Sequence, residues 1–314
     1  MILWEEYNKL LIDTRTTESM IASLTTYLNI TEDELFQYID NAASKARIDS
    51  KTLDLGIFED EIIPIISTLQ PKDQIDEIYV YHLTRRLNDS IGDKSTDNLK
   101  SLLLKDSPIS KFLRQYNIYF VEKDGHPVII FNNNEISLEN SYEVQSSISL
   151  HEFIFNDNND LLEDEFDADV CYLRGRLGYD TGREDYCFNG FAFRHFLMKN
   201  SYVKDLDKGP EFLVKLSNYL SIDGIIQKYR ENSKYYCFTY KMTVDEIIFD
   251  ERADLENQNK ANYFLVQILI RIMFYMRDGK CISDDNNPIV RVADDANVPE
   301  SKLVNVEEIT PERI

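Results

Sequence analysis

The spacing of apolar positions changes several times along the 314 residues, and each change predicts an element. Up to about residue 70 the spacing is helical. Thr31-Glu32-Asp33-Glu34 has the form of a capping box, with Thr31 as N-cap and Glu34 at the third helical position. Leu35, Phe36, Ile39 and Ala43 then recur three and four apart, as one buried helix face requires. A second helix is predicted over Ile57 to Leu69, kinked or divided at Pro64 because a proline ring removes one ladder donor. Gln70-Pro71-Lys72-Asp73 closes this region and marks the first boundary.

Beyond it the period shortens. Ile78-Tyr79-Val80-Tyr81-His82-Leu83 is a strand-like run of β-formers. Asn98 to Tyr116 reads as one or two helices, the second opened by Pro108. Ile118 to Val121, a turn at Lys123-Asp124-Gly125, and Val128 to Phe131 predict a hairpin. Glu152 to Asp169 reads as an acidic loop or exposed helix. Tyr235 to Phe249 reads as a strand running into a short helical turn. Ala253 to Arg277 is the longest predicted helix, closed by Gly279, and Pro288 to Ala293 and Lys302 to Ile309 are final strands. The expected class is α+β: a helical N-terminal domain over 1–72, then an α+β domain over 73–314 with a mixed sheet, a long buried C-terminal helix and an acidic insertion at about 124–173.

Composition adds a bound on size and compartment. Nineteen Tyr and seventeen Phe supply a core and argue against disorder. Tyr263 to Met276 is the most apolar run, but its fourteen residues are interrupted by Gln267 and Arg271, too short and too polar to span a bilayer. The start Met1 to Leu11 carries two acids and no basic n-region, unlike a secretory signal. Cys171, Cys187, Cys237 and Cys281 are widely scattered, which fits reduced thiols better than a disulfide framework. These readings give a soluble, cytoplasmic protein.

Charge changes the picture most. Fifty-six acids against thirty-four bases leave a net charge of −22. Asp124 to Leu173 runs fifty residues without Lys or Arg and holds twelve carboxylates. Such a field repels nucleic acid and attracts basic surfaces, so direct nucleic-acid binding is excluded and a basic protein partner is expected. Glu163, Asp164, Glu165, Asp167 and Asp169 are the candidate docking residues. Asp157-Asn158-Asn159-Asp160 opens like a Ca²⁺ loop, but Leu161 and Leu162 occupy a ligand position and the required glycine.

The following segment is the electrical opposite. Arg174, Arg176, Arg183 and Arg194 lie among Gly175, Gly178, Gly182 and Gly190, a composition suited either to an anion site or to neutralising the acidic run. No phosphate-loop spacing is present. His82, His126, His151 and His195 form no metal-ligand spacing with each other or with the cysteines, so no metal is expected. Cys187 sits among Tyr186, Phe188 and Phe191, an apolar setting that keeps a thiol inert. The helix around Tyr263 to Met276 is apolar on nearly every face. It is read as central core, or as core plus a self-association face, and a homo-oligomer is expected on that basis.

Tyr79-Val80-Tyr81-His82-Leu83-Thr84-Arg85 resembles the first catalytic strand of the ADP-ribosyltransferase family, in which a His followed by a small hydroxyl residue holds the NAD ribose. Gly190-Phe191-Ala192-Phe193 is similar to the middle strand. Pro288-Ile289-Val290-Arg291-Val292, followed by Val298 to Val306, is similar to the closing strand-turn-strand. Together they cover about thirty residues. The resemblance implies NAD as cofactor, with His82 and Tyr186 or Tyr179 in the site. Where the family carries its catalytic Glu, this chain has Asp284-Asp285-Asn286-Asn287.

No residue set identifies a reaction by itself. The leading expectation is therefore an acidic intracellular protein acting by contact with a basic protein surface, as phage or bacterial inhibitors of nucleic-acid-processing or defence complexes do. It needs no cofactor. The alternative is an NAD-dependent transferase-like enzyme.

Overall fold

A computed structural model describes residues 11–49, 52–69, 75–90, 96–138, 165–179, 185–279, 284 and 286–310. Helices and mostly antiparallel strands make an α+β protein. The chain divides into two compact units, one of residues 1–82, 189–201 and 239–291, the other of 83–188, 202–238 and 292–314. Two long strands, β1 (Glu77–Leu87) and β6 (Ser233–Thr243), contribute residues to both.

The first unit contains helices α1 (Thr17–Leu28), α2 (Glu32–Lys45) and α3 (Leu55–Leu69). The predicted capping box is present: Thr31 Oγ1 accepts from the Glu34 amide, and Glu34 accepts from the Thr31 amide. Leu35, Ile39, Ala42 and Ala43 form the buried face of α2, and Pro64 lies inside a continuous α3. The long helix, α10 (Asn257–Asp278), packs against all three. The expected separate domain over 1–72 is thereby corrected. Its helices pack against the C-terminal helix within one unit. The predicted boundary at 70–73 lies outside the described residues.

Strands β5 (Asn189–Phe191), β7 (Ile248–Phe249) and β8 (Ile289–Arg291) complete this unit in the order β7-β8-β5-β1-β6. Tyr81 pairs with Phe191, and Phe191 with Ile289, both antiparallel. Phe249 meets Tyr263 edge-on at 4.8 Å, and Phe193 stacks with Phe264 at 6.1 Å, joining sheet to helix. Phe264, Leu265, Ile268, Leu269, Ile272 and Met273 are all buried. Most of the helix is covered within its own unit, while Met276 near its end stays exposed.

The second unit contains a three-stranded sheet of β2 (Ile118–Lys123), β3 (His126–Phe131) and β4 (Asn134–Glu135). The predicted hairpin is in register from Ile118↔Phe131 to Lys123↔His126. Helices α4 (Leu99–Leu104), α5 (Pro108–Arg114), α6 (Glu165–Arg176), α8 (Glu211–Tyr219) and α9 (Ile225–Glu231) belong to it, as does α7 (Ser201–Leu206) from its second residue. Ile118, Phe120 and Ile129 pack with Leu173, Phe212 and Leu216 in one core. Strand β9 (Leu303–Glu308) lies beside β6 and ends the strand order. Among the described residues no helix is long and apolar enough to cross a membrane.

Candidate functional site

Among the described residues of the first unit, Ile48, Ile57 and Ile63 are exposed on α3 or the loop before it, and Met276 on α10. Helix α3 buries Phe58, Ile62 and Ile66, three positions spaced four apart. The opposite arc therefore presents Ile57, Asp60, Ile63, Pro64 and Ser67, all exposed. Between Glu32 and Leu69 the chain holds nine carboxylates against Lys45, Arg47 and Lys51. One of these bases is already used, since Lys45 Nζ donates to Glu61 at 2.5 Å. Burial, with Asp60 next to it, raises the Glu59 pKa above the ordinary carboxylate value, and Arg252 only partly opposes this. The exposed arc of α3 thus sets Asp60 between two isoleucines, in a stretch of chain rich in acids.

The acids expected to dock lie elsewhere. Glu163 and Asp164 fall outside the described residues. Glu165 and Asp167 stand in the first turn of α6. Asp169 is only 5% exposed and pairs with Lys215 at 2.7 Å, which corrects its assignment: it is an internal ion pair, not part of an open acidic face. The Arg segment is likewise engaged. Arg174 donates to the Leu138 carbonyl at 2.8 Å, and Arg176 pairs with Asp185 at 3.0 Å. Arg183 lies outside the described residues, and Arg194 belongs to the other unit, where its amide donates to Thr14 O.

His82 stands on β1, half-buried, with Nδ1 2.7 Å from the Asn189 carbonyl. A carbonyl only accepts, so Nδ1 carries the proton. The Tyr81↔Phe191 register sets Gly190 opposite His82, and a side chain at 190 would begin 2.6 Å from Val80 Cγ1. Tyr186 is buried in the other unit and donates to Leu177 O at 3.0 Å. Its phenol is used in packing. Tyr179 stacks on His126 at 5.4 Å. Cys187 is buried, with Sγ 3.4 Å from Asp185 Oδ1. Among the described residues no group of His, Cys, Asp and Glu is arranged to hold a metal ion.

No family model, curated protein or solved structure matches this chain.

One polar constellation of the first unit went unseen in the sequence. Arg271 of α10 is 4% exposed and forms an ion pair with fully buried Asp284. Asn287 grips the Phe193 amide and carbonyl at 3.0 and 2.7 Å and donates to Asp284 Oδ2 at 2.8 Å. Arg271 also donates to the His195 carbonyl. The Thr17 amide, at the start of α1, donates to His195 Nδ1 at 2.9 Å. Because an amide only donates, His195 is the Nε2-protonated neutral tautomer. Burial lowers its pKa below 6.5, aided by Arg271 and opposed by Glu18, whose carboxylate accepts from Tyr275 at 3.1 Å. These residues come from positions 17–18, 195, 271–275 and 284–287. Only the polar Arg271 within an apolar helix signalled them.

Proposed function

We propose that this protein acts by protein–protein contact, presenting the outer arc of α3 to a partner with a basic surface. The observation that carries this is Ile57 and Ile63, exposed on a helix that lies in a stretch of chain, Glu32 to Leu69, with nine carboxylates against three bases. An exposed apolar patch gains from burial, while the charge near it fixes the sign of the partner. Two copies would set like charge against like charge, so the fitting partner is basic. The inhibitor or regulator role stated above is one use of such a surface.

The test is affinity purification from cells with the wild-type chain, an Ile57→Asp/Ile63→Asp variant and a Glu59→Gln/Asp60→Asn variant. The expected result is a partner held by the wild type, released between about 0.1 and 0.5 M salt and lost with both variants. Recovery of the same proteins by all three chains, each with an unchanged melting temperature, overturns the reading.

A second reading has its own observation. The segments similar to the ADP-ribosyltransferase family around His82, Gly190 and Ile289 lie on neighbouring strands β1, β5 and β8. Of the late acids, Asp284 is occupied by Arg271, whereas exposed Glu251 accepts the Ile289 amide at the start of β8 at 3.2 Å. On this reading His82 holds the ribose of NAD and Glu251 is the acid. NAD titration by calorimetry with the wild type and with His82→Ala decides it: heat of binding that is lost in the variant is expected, and no heat at millimolar NAD sinks it.

A further inference from the structure

Helix α1 begins at Thr17, and the first amides of a helix have no carbonyl four residues back to receive them. Thr16 Oγ1 accepts from the Ser19 amide and Ser19 Oγ from the Thr16 amide, a capping box made within the turn itself. The Thr17 amide is served from 178 residues away. It donates to His195 Nδ1 at 2.9 Å, and the Thr17 hydroxyl donates to the same nitrogen at 2.6 Å. Thr17 is fully buried, so an acceptor lost there is not made good by water.

Ser, Thr, Asn or Asp supplies such an acceptor throughout the range from about pH 5 to 8. A histidine supplies it only while neutral, because a protonated imidazole donates from both nitrogens. An imidazolium at this place would aim its N–H at an amide N–H and set positive charge at the positive end of the helix dipole. His195 faces Glu18 from α1, Arg271 and Tyr275 from α10, and Arg194 and Lys199 from its own loop. Asp284 is committed to Arg271, and Asp13 and Arg15, just before α1, pair with each other at 2.6 Å. Glu18 favours a charged ring, but it is exposed and accepts from Tyr275. Burial, together with three cations against that one open carboxylate, keeps the ring neutral and its pKa below 6.5.

The loop carrying the imidazole is under strain. Phe196 has a φ of 66°, in the left-handed region that a residue with a side chain rarely adopts. It is held there by stacking on the His195 ring at 3.8 Å, with Arg271 and Lys199 over its face at 5.6 and 4.6 Å. Loss of the Thr17 bonds frees the ring that holds Phe196, so relief of strain assists release. We propose that His195 is a pH-sensitive latch on α1: when its ring takes up a proton, the first turn of the helix lets go of the loop while the rest of the unit stays folded. Buried Ile12 and Thr14 on one side, and Met20 on the other, confine the opening to Arg15–Ser19 and the His195–Phe196 pair. The open ring titrates at about 6.5 and the closed one lower. Each pH unit below 6.5 therefore shifts the balance about tenfold toward the open form, until the closed ring itself is protonated.

Amide hydrogen exchange of the full chain from about pH 7.5 to about pH 5, corrected for the intrinsic chemical rate, tests the latch. The Thr17 amide should lose about tenfold in protection per pH unit below 6.5, while Ile268 in the middle of α10 follows no such slope. His195→Asn keeps an acceptor that does not titrate, so Thr17 protection in that variant should be flat. Flat protection of Thr17 in the wild type overturns the proposal. So does a loss that Ile268 shares in equal measure, or one that persists in His195→Asn. Should the variant not fold, the wild type decides alone: the His195 ring and the Thr17 amide must titrate with one midpoint by NMR, and separate midpoints overturn the latch. None of these outcomes bears on Ile57 and Ile63, which belong to a different helix.

Discussion

Two residues show how environment sets chemistry. His195 is held neutral by an amide that can only donate and by burial, and its pKa lies below 6.5. Below pH 6.5 the unfolded chain takes up a proton that the folded site refuses, so the stability His195 contributes is full above that value. It declines as pH falls towards the lowered folded pKa. His195→Asn keeps an acceptor near the Nδ1 position but cannot titrate. Urea midpoints of the wild type should fall between pH 7 and 5 more than those of the variant, and equal slopes would show that His195 is not the titrating group. Asp284 is a different case. It is fully buried against Arg271, and Asp284→Ala leaves that guanidinium without its counter-charge, for a cost of about 3–5 kcal/mol, measurable as a lowered denaturant midpoint. A loss under about 1 kcal/mol would mean that water reaches Arg271.

Local sequence settled most of the elements, because their signals act over a few residues. The Thr31–Glu34 box caps α2, and Gly279 ends α10 with a φ of 57°. In the hairpin, Asp124 and Gly125 both take positive φ, 53° and 87°, as a two-residue turn of matching twist requires. Gly178, just past α6, also has positive φ at 75°, but there a side chain would begin 2.2 Å from Tyr186 Oη. The two glycines separate conformational cost from steric cost. Gly125→Ala meets no atom within 4 Å and should cost about 1–2 kcal/mol by urea unfolding. Gly178→Ala must also displace a buried tyrosine, so its loss should be clearly larger. Equal losses would mean that Tyr186 moves aside freely. Distance along the chain explains what the sequence left hidden: the partners of Arg271 come from positions 195 and 284, and no periodicity links them.

For the whole molecule, charge is the main lever. With −22 to accommodate, the folded state gains when salt screens self-repulsion, so the melting temperature should rise by about 2–4 °C between low salt and about 0.2 M, equivalent to about 1 kcal/mol. Calorimetry checks this, and a fall in melting temperature would point to internal ion pairs such as Asp169–Lys215 as the dominant electrostatics. What the sequence determined by itself was the α+β class, the hairpin of Ile118 to Phe131, the long helix closed by Gly279 and the sign of the field, since each follows from neighbours in the chain or from a sum over it. The helices between Ser201 and Glu231 were not read from it. What only the tertiary structure decided was which acids are exposed, that the N-terminal helices pack against α10, and that Asp284 answers Arg271. Those are matters of burial and of pairing across long separations. The same carboxylate is a solvated charge or a buried counter-ion according to what packs over it, and the residues that do so lie tens of positions away.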